Sequence, residues 1–147
     1  MADALSLAFA LRVPGESRTG GLRSALTREH DVRGLASVRG AELVLEWSGT
    51  TRVSEVRGFA ADVRREPFPA GRRAIPLAAL ASIRRRGWWW RPRVELRVRE
   101  LEALDGVPGA DGSSLRLLVD HADLECAGRL VITTQATARE LRDSGRP

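Results

Sequence analysis

The chain has 147 residues, the size of one ordinary domain, which can bury a core without a metal or a disulfide. Its single cysteine, Cys126, excludes an intramolecular disulfide, and the longest apolar run near the N-terminus, Ala4 to Leu11, is too short to span a membrane. The N-terminal residues lack a basic segment and a small-residue cleavage site, so they do not resemble a signal peptide. We therefore expect a soluble, cytoplasmic protein.

The charge of the chain is unevenly distributed. All 24 basic residues are Arg, which codon bias in a GC-rich genome explains. Residues 1–56 carry seven Arg and seven acids, residues 57–99 carry twelve Arg and three acids, and residues 100–147 carry five Arg and nine acids. The middle segment thus has a large positive charge, in a chain whose net charge is +5. Such asymmetry indicates an anionic partner, or two regions that attract each other in the fold.

Residues 1–31 give weak signals for secondary structure. Ala4 to Val13 alternates loosely between apolar and polar, which is typical of an edge strand or a short helix. The stretch from Gly15 to Gly21 is rich in Gly and Ser and predicts a loop. One or two helical turns are suggested by Leu22, Ala25 and Leu26. We therefore treat residues 1–31 as an N-terminal strand or extension whose place in the fold is open.

Strand signals become clear in the next segment. From Glu42 to Trp47, acidic residues alternate with Leu43, Leu45 and Trp47, the period-two pattern of a half-buried strand. A turn is predicted at Ser48 to Thr50 and a second strand at Thr51 to Val56. Together these segments predict a β-hairpin.

A long mobile loop is predicted from Arg57 to Arg73, because this stretch is polar and contains Pro67, Pro69 and Gly71. Ala74 to Leu77 predicts a short strand. Since proline cannot donate a ladder hydrogen bond, Pro76 indicates an edge strand or a bulge.

The strongest strand signal runs from Trp88 to Arg99, after a strand that starts at Ile83 and is interrupted at Gly87. One parity is apolar and comprises Trp88, Trp90, Val94, Leu96 and Val98. The other parity is almost entirely Arg. This pattern predicts an antiparallel sheet that is packed on one side only.

The C-terminal part combines a last strand with a helix. Leu115, Leu117 and Val119 alternate, and from His121 the apolar spacing becomes helical, with Asp120 or Asp123 as the cap. The β-branched run Val131 to Thr134 weakens the helical pattern in its middle. The fold class is therefore mainly β with one C-terminal helix, a bent antiparallel sheet or open barrel capped by that amphipathic helix.

These residues resemble the bacterial pleckstrin-homology-like proteins. The resemblance is carried by Leu43–Glu46 after Gly34 and Gly40, Ile75-Pro76-Leu77, Leu80, Ile83, Gly87-Trp88-Trp89, Val94-Glu95-Leu96-Arg97, Leu104, Val107-Pro108-Gly109-Ala110, Leu115–Val119 and the terminal helix. It covers residues 32–142, with residues 143–147 as a tail. It implies a bent seven-stranded sheet capped by a helix, and a binding or assembly module without shared catalytic residues.

The sequence offers little for catalysis, and it predicts no enzyme, cofactor or metal site. It contains no glycine-rich phosphate loop. His30 and His121 are about ninety residues apart and are expected to be surface or capping residues. Cys126 is expected to be a buried, inert thiol. A nucleophile pair of His121 and Cys126 would make the chain a small hydrolase, but no third residue that would orient the pair is evident.

One cluster combines groups that recognise anions. It comprises Arg84, Arg85, Arg86, Trp89, Arg91 and Arg93. Arginine offers paired donors to phosphate, and tryptophan stacks or anchors at a membrane interface. The alternative is structural, with these arginines paired across strands to Glu42, Glu46, Glu100 and Glu102.

Two functions from different classes follow from these patterns. The first is a noncatalytic interaction or assembly module that binds a protein partner or a second copy through the edge strand at Ile75 and Leu77. The second is a peripheral binder of anionic lipid, or less favourably nucleic acid, through the Arg and Trp cluster.

Overall fold

The computed structural model describes residues 5–21, 24–88 and 90–145, and this part of the chain forms eight strands followed by one long helix. The strands are β1 Ser6–Leu11, β2 Glu16–Thr19, β3 Ser24–Arg39, β4 Glu42–Arg57, β5 Ala60–Pro76, β6 Leu80–Arg86, β7 Arg93–Val98 and β8 Ser114–Leu118, and the helix is α1 Leu124–Ser144. Short 3₁₀ turns occupy Leu77–Ala79, Leu101–Leu104 and His121–Asp123. The predicted fold class, mainly β with one C-terminal helix, is confirmed.

The strands form one open antiparallel sheet in the order β5-β4-β3-β1-β8-β7-β6, with β2 paired to β3 beside this path. The strands at the two ends of this path are β5 and β6, and β2 pairs with β3 alone. β1 lies in the middle of the sheet, where Leu7 is fully buried. Within the described residues, β1 and β8 pair through Ala10 opposite Leu118.

Helix α1 covers one face of the sheet and completes the core. Its buried stripe comprises Ala127, Leu130, Val131, Thr134 and Ala138, at the spacing of one helical face. The β-branched run stays helical because the stripe is packed, and the Thr134 hydroxyl donates to the Leu130 carbonyl at 2.7 Å. At the start, the Asp120 carboxylate accepts the Ala122 amide and caps the 3₁₀ turn before α1.

Strands β3, β4 and β5 extend past the part of the sheet that the helix covers. We call this extension the arm; it consists of β2 with residues 24–31, 50–57 and 60–67. Among the described residues, none of the main core cluster belongs to the arm. Its most buried residue is Val53, which lies in register between Arg28 and Arg64. The arm carries six Arg and six acids, so its charges balance.

The predicted long loop at residues 57–73 is wrong, because residues 60–73 belong to β5 and pair with β4, and the loop is confined to the two-residue turn at Gly58 and Phe59. The arm is polar on both faces, so it lacks the period-two signal of a half-buried strand. The prolines are accommodated because β5 is an end strand, where a missing amide donor costs no ladder bond.

Three other expectations about the sheet are also wrong. The predicted turn at Ser48–Thr50 is a register shift between Trp47 and Gly49 inside the continuous strand β4. The predicted loop at Gly15–Gly21 contains β2. Of the predicted helical turns, Ala25 and Leu26 belong to β3, and Leu22 lies outside the described residues. Cross-strand pairing outweighs these weak local signals.

Candidate anion-binding face

The β6–β7 hairpin turns its polar side chains away from the helix. Ile83 lies opposite Leu96, and both are buried in the core. Because neighbouring residues in a strand point to opposite faces, the next pair, Arg84 opposite Glu95, lies on the outer face of the sheet. β7 also pairs with β8, which places Arg116 on the other side of Glu95.

Five arginines surround Glu95 on this outer face, and we call this set the arginine face. Arg84 and Arg116 lie directly across from Glu95 on the neighbouring strands, Arg93 and Arg97 lie two residues away along β7, and Arg86 is diagonal. Residues 80–99 and 114–118 together carry eight Arg and one acid. The region is therefore strongly positive.

Glu95 neutralises only part of this charge. Its carboxylate lies 3.7 Å from Arg86 Nε and 3.9 Å from Arg93 Nε, and its side chain is only 15% exposed. Arg84, Arg97 and Arg116 form no ion pair within the described part of the chain. A shallow depression of ≈ 110 Å³ is lined by Ser82, Arg84, Arg86, Glu95 and Arg97. Guanidinium groups around such a depression can donate to the oxygens of a phosphate.

The hairpin ends in a turn that holds residues 87, 88 and 90–92 of the described chain, and we call these residues the hairpin tip. Gly87 has φ +88, and a side chain at this position would collide with the carbonyl oxygen of Arg91. The Arg91 amide donates to the Trp88 carbonyl at 2.9 Å and closes the turn. The Pro92 carbonyl accepts the amide of Val119 at 3.0 Å, which ties the tip to the residue after β8.

Trp88 and Trp90 lie exposed at the hairpin tip. They are 69% and 54% exposed, and their rings stack with centroids 5.2 Å apart and an interplanar angle of 12°. The prediction that they belong to the core is therefore wrong, since β7 begins only at Arg93. The apolar alternation in the sequence continues through a turn, where successive side chains do not point to opposite faces of a sheet. Trp89 lies outside the described residues.

The predicted cluster divides between the face and the tip. Arg84, Arg86 and Arg93 belong to the arginine face. Arg85 lies opposite Val94, on the other parity, and is exposed near the tip, as is Arg91.

The arginine face also contains two residues that the sequence-based cluster lacks, Arg97 and Arg116. Arg116 comes from β8 and meets the others only through the register of the sheet. The sequence does contain a pattern that indicates this position. Leu115, Arg116 and Leu117 alternate as in a half-buried strand, which places Arg116 on the outer face of the sheet.

The predicted cross-strand partners lie elsewhere. Glu46 pairs with Arg72 at 3.4 Å, and Arg73 donates to the backbone carbonyls of Glu102 and Ala103. Cross-strand pairing with acids therefore occurs mainly around β4 and β5, whereas Arg86 and Arg93 of the hairpin share Glu95.

The predicted edge-strand residues lie at the end of β5 and just after it. Ile75 and Leu77 are both buried in the core, and the Leu77 amide donates to the Ala41 carbonyl at 2.9 Å. Their side chains serve the core, so a partner at this position would meet mainly backbone.

The remaining chemical candidates are separate from the arginine face. The Cys126 thiol donates to the Ser6 carbonyl at 3.2 Å, and burial, assisted by Asp123, raises its pKa. A raised pKa opposes the thiolate that a nucleophile needs. His30 Nδ1 lies 2.9 Å from the Thr51 hydroxyl, within the arm. His121 lies in the 3₁₀ turn before α1.

Across residues 5–21, 24–88 and 90–145, no group of three or more His, Cys, Asp or Glu side chains is arranged to hold a metal ion. In the same residues, no helix is both long and apolar enough to cross a membrane.

No model of a known protein family matches this chain. No curated protein and no solved structure matches it either. Function must therefore be inferred from the chain's own residues.

Proposed function

We propose that the chain is a noncatalytic module that docks peripherally on an anionic membrane surface through the β6–β7 hairpin. The proposal rests on one observation, that the arginine face and the exposed pair Trp88 and Trp90 lie next to each other. The two features share one hairpin, so one surface can meet both together. The resemblance to pleckstrin-homology-like proteins is compatible with a binding role but does not specify the ligand.

The arginine face supplies the electrostatic attraction. Arginines close to an anionic leaflet contribute about 1 kcal/mol each. Arg84, Arg97 and Arg116 are exposed and lack ion pairs within the described residues, so their charge is available to headgroup phosphates. Internal stabilisation does not account for so many arginines, because surface ion pairs contribute about 0–1 kcal/mol and Glu95 reaches two of the five.

The hairpin tip supplies the apolar contact. Tryptophan favours the headgroup level of a bilayer, where its ring is shielded and its N–H stays hydrated. The fixed turn holds Trp88 and Trp90 outside the core before any ligand binds, so little ordering is needed on docking.

A membrane is favoured over nucleic acid by the arrangement of the rings. Single-stranded nucleic acid binds through bases that stack on open aromatic faces. Trp88 and Trp90 stack on each other, so each ring already has one face covered. A convex tip with adjoining rings suits insertion among lipid headgroups better than it suits stacking between bases.

Vesicle flotation tests the proposal. The protein is mixed with phosphatidylcholine vesicles, or with vesicles that also contain phosphatidylglycerol, at low and high NaCl. We expect binding to the anionic vesicles at low salt, weakened by salt because screening shortens the reach of the charges. Replacing Arg84, Arg97 and Arg116 with Ala should reduce the affinity roughly a hundredfold, since about 3 kcal/mol is lost.

The matched control replaces Arg18, Arg39 and Arg52 with Ala. These three arginines are also exposed and lie elsewhere in the sheet, and the net charge falls by the same amount. Binding should survive in this control. Equal loss in both triple variants would show that net charge alone is responsible. Tighter binding to a single-stranded oligonucleotide than to anionic vesicles would favour nucleic acid instead.

A second candidate, a module that binds a protein through strand addition, is favoured by the position of β5 at an end of the sheet. An end strand presents backbone donors and acceptors that a partner strand can use. Replacing exposed residues of the β6–β7 hairpin would leave strand addition intact but would weaken membrane docking. These variants therefore distinguish the two functions.

A further inference from the structure

The two end strands of the sheet differ in how their free edges are covered. The Gln135 side chain on α1 donates from Nε2 to the Ile83 carbonyl at 2.8 Å, so the helix occupies the edge of β6. In β5, Arg73 is engaged by the turn after β7. By contrast, residues 60–66 of β5 are all exposed. This stretch is the open edge of the arm.

Pro67 indicates which backbone groups point outward along this edge. It is paired with Thr50 in the ladder, and a proline in an end strand places its nitrogen on the free side. Backbone groups alternate in direction along a strand, so Ala61, Val63 and Arg65 share this orientation and present their N–H and C=O groups outward.

The side chains of this edge are self-complementary in one register. When two copies run antiparallel with Val63 opposite Val63, Asp62 lies opposite Arg64 of the second copy, and Arg64 opposite its Asp62. Asp62 is 71% exposed and Val63 is 55% exposed, so both are accessible. Shifting the register to centre on Arg64 would bring Asp62 against Glu66, which is repulsive.

We propose that two copies of this chain pair through residues 60–66 of β5, antiparallel and about a twofold axis at Val63. This pairing forms about six backbone hydrogen bonds, from Val63 to Val63 and from Ala61 to Arg65 in both directions. Charged side chains normally protect an edge from pairing. Here they oppose the register centred on Arg64 and favour the one centred on Val63. The dimer uses the arm, not the β6–β7 hairpin, so it is independent of the proposed membrane docking.

Disulfide trapping tests the position of the axis. In a Cys126→Ala background, Val63→Cys places the two thiols on the axis, where Cα atoms of a hydrogen-bonded pair are about 5.5 Å apart. Ala61→Cys is the matched control, because its two copies lie four residues apart, about 13 Å. We expect oxidation to crosslink Val63→Cys at least tenfold faster than Ala61→Cys. Equal rates, or no crosslinking at either position, would overturn the proposal.

Charge exchange tests the paired side chains without cysteine. Asp62→Arg and Arg64→Asp should each be monomeric in sedimentation velocity, since like charges then face each other across the axis. Mixed together they should form a heterodimer of twice the 16.1 kDa chain mass, because every facing pair is again opposite. Circular dichroism confirms that each variant is folded. If either single variant forms dimers, the proposed pairing is contradicted. It is also contradicted if the mixture, and the wild type at high concentration, contain only monomers.

Discussion

The β4–β5 and β6–β7 hairpins are built alike and differ in their charge balance. Each has a glycine with positive φ at its tip, Gly58 in one and Gly87 in the other. Each has a glutamate that contacts two arginines: Glu55 lies 2.7 Å from Arg57 and 3.6 Å from Arg64, and Glu95 lies near Arg86 and Arg93.

The difference is in the charges around that glutamate. In the arm, Arg64 also contacts Asp62 and Glu66, and the hydrogen bond to Glu66 raises the pKa of its guanidinium. The β6–β7 hairpin and β8 hold seven arginines and one acid, Glu95, which contacts Arg86 and Arg93. The whole chain uses Arg and no Lys, so the choice of Arg over Lys is common to both regions. It does not explain why acids accompany the arginines in one region and are missing from the other.

Replacing the glycine at each hairpin tip should give the largest difference between the two hairpins. Gly87→Ala should destabilise the protein by about 2–4 kcal/mol, because positive φ costs about 1–2 kcal/mol and the new methyl meets the Arg91 carbonyl. Gly58→Ala has the same type of backbone but open space around it, so we expect a loss of about 1 kcal/mol. Urea unfolding gives both free energies.

The same pair of variants reports on the tryptophans. Gly87→Ala should also weaken the near-ultraviolet circular dichroism of the stacked rings, because the turn that holds Trp88 and Trp90 is displaced. Gly58→Ala should leave that signal unchanged. Equal destabilisation by the two variants would mean that the β6–β7 tip is no more constrained than the tip of the arm.

The hairpins also show where the sequence was informative. The alternation of Val94, Leu96 and Val98 predicted β7 correctly, because one face of that strand is buried and the other exposed. In the arm, the strand at Thr51 to Val56 was predicted, whereas β2, the first half of β3 and the first part of β5 were missed because their faces are mostly polar and give no apolar alternation. Trp88 was placed in the core because the alternation continued through a turn that begins at Gly87.

The candidate site was predictable in its local part only. Arg84, Arg86 and Arg93 lie within ten residues of one another in the sequence, so their clustering is visible there. The position of Glu95 as their shared partner depends on the register of β6 and β7, and the contribution of Arg116 depends on β8 lying beside β7. Pairings between distant strands leave no local signal in a single sequence.

The two glutamates give the second test. Glu95→Gln removes the one acid of the arginine face, leaving five arginines to repel one another around a side chain that is mostly buried. We expect a loss of about 1–2 kcal/mol. Glu55→Gln should cost less than about 1 kcal/mol, because Asp62 and Glu66 still hold Arg64. Thermal and urea unfolding measure both.

The vesicle assay separates stability from binding in these variants. Glu95→Gln should bind anionic vesicles more tightly than the wild type, since the face gains one unit of positive charge. Glu55→Gln gains the same charge in the arm and should change binding little. If the two variants bind alike, the position of the charge has no influence and the contrast between the hairpins fails.

The exposed aromatics give the smallest effect and the most specific one. Replacing Trp88 and Trp90 with Ala removes side chains that contribute little to the core, so the unfolding free energy should change by less than about 0.5 kcal/mol. If the rings enter the headgroup region, burying roughly 60 Å² of their surface contributes about 1.5 kcal/mol, so the variant should bind anionic vesicles roughly tenfold more weakly.

Phe59 is the matched control, an aromatic residue that is 98% exposed at the tip of the arm. Phe59→Ala should leave vesicle binding unchanged, since the arm carries balanced charge and is not drawn to an anionic surface. Tryptophan fluorescence of the wild type should shift to shorter wavelength on anionic vesicles and stay unshifted on neutral ones. A shift that persists after Trp88, Trp89 and Trp90 are all replaced would place the contact elsewhere. Equal losses from Phe59→Ala and the double tryptophan variant would show that any exposed aromatic suffices, and the β6–β7 hairpin would lose its distinct role.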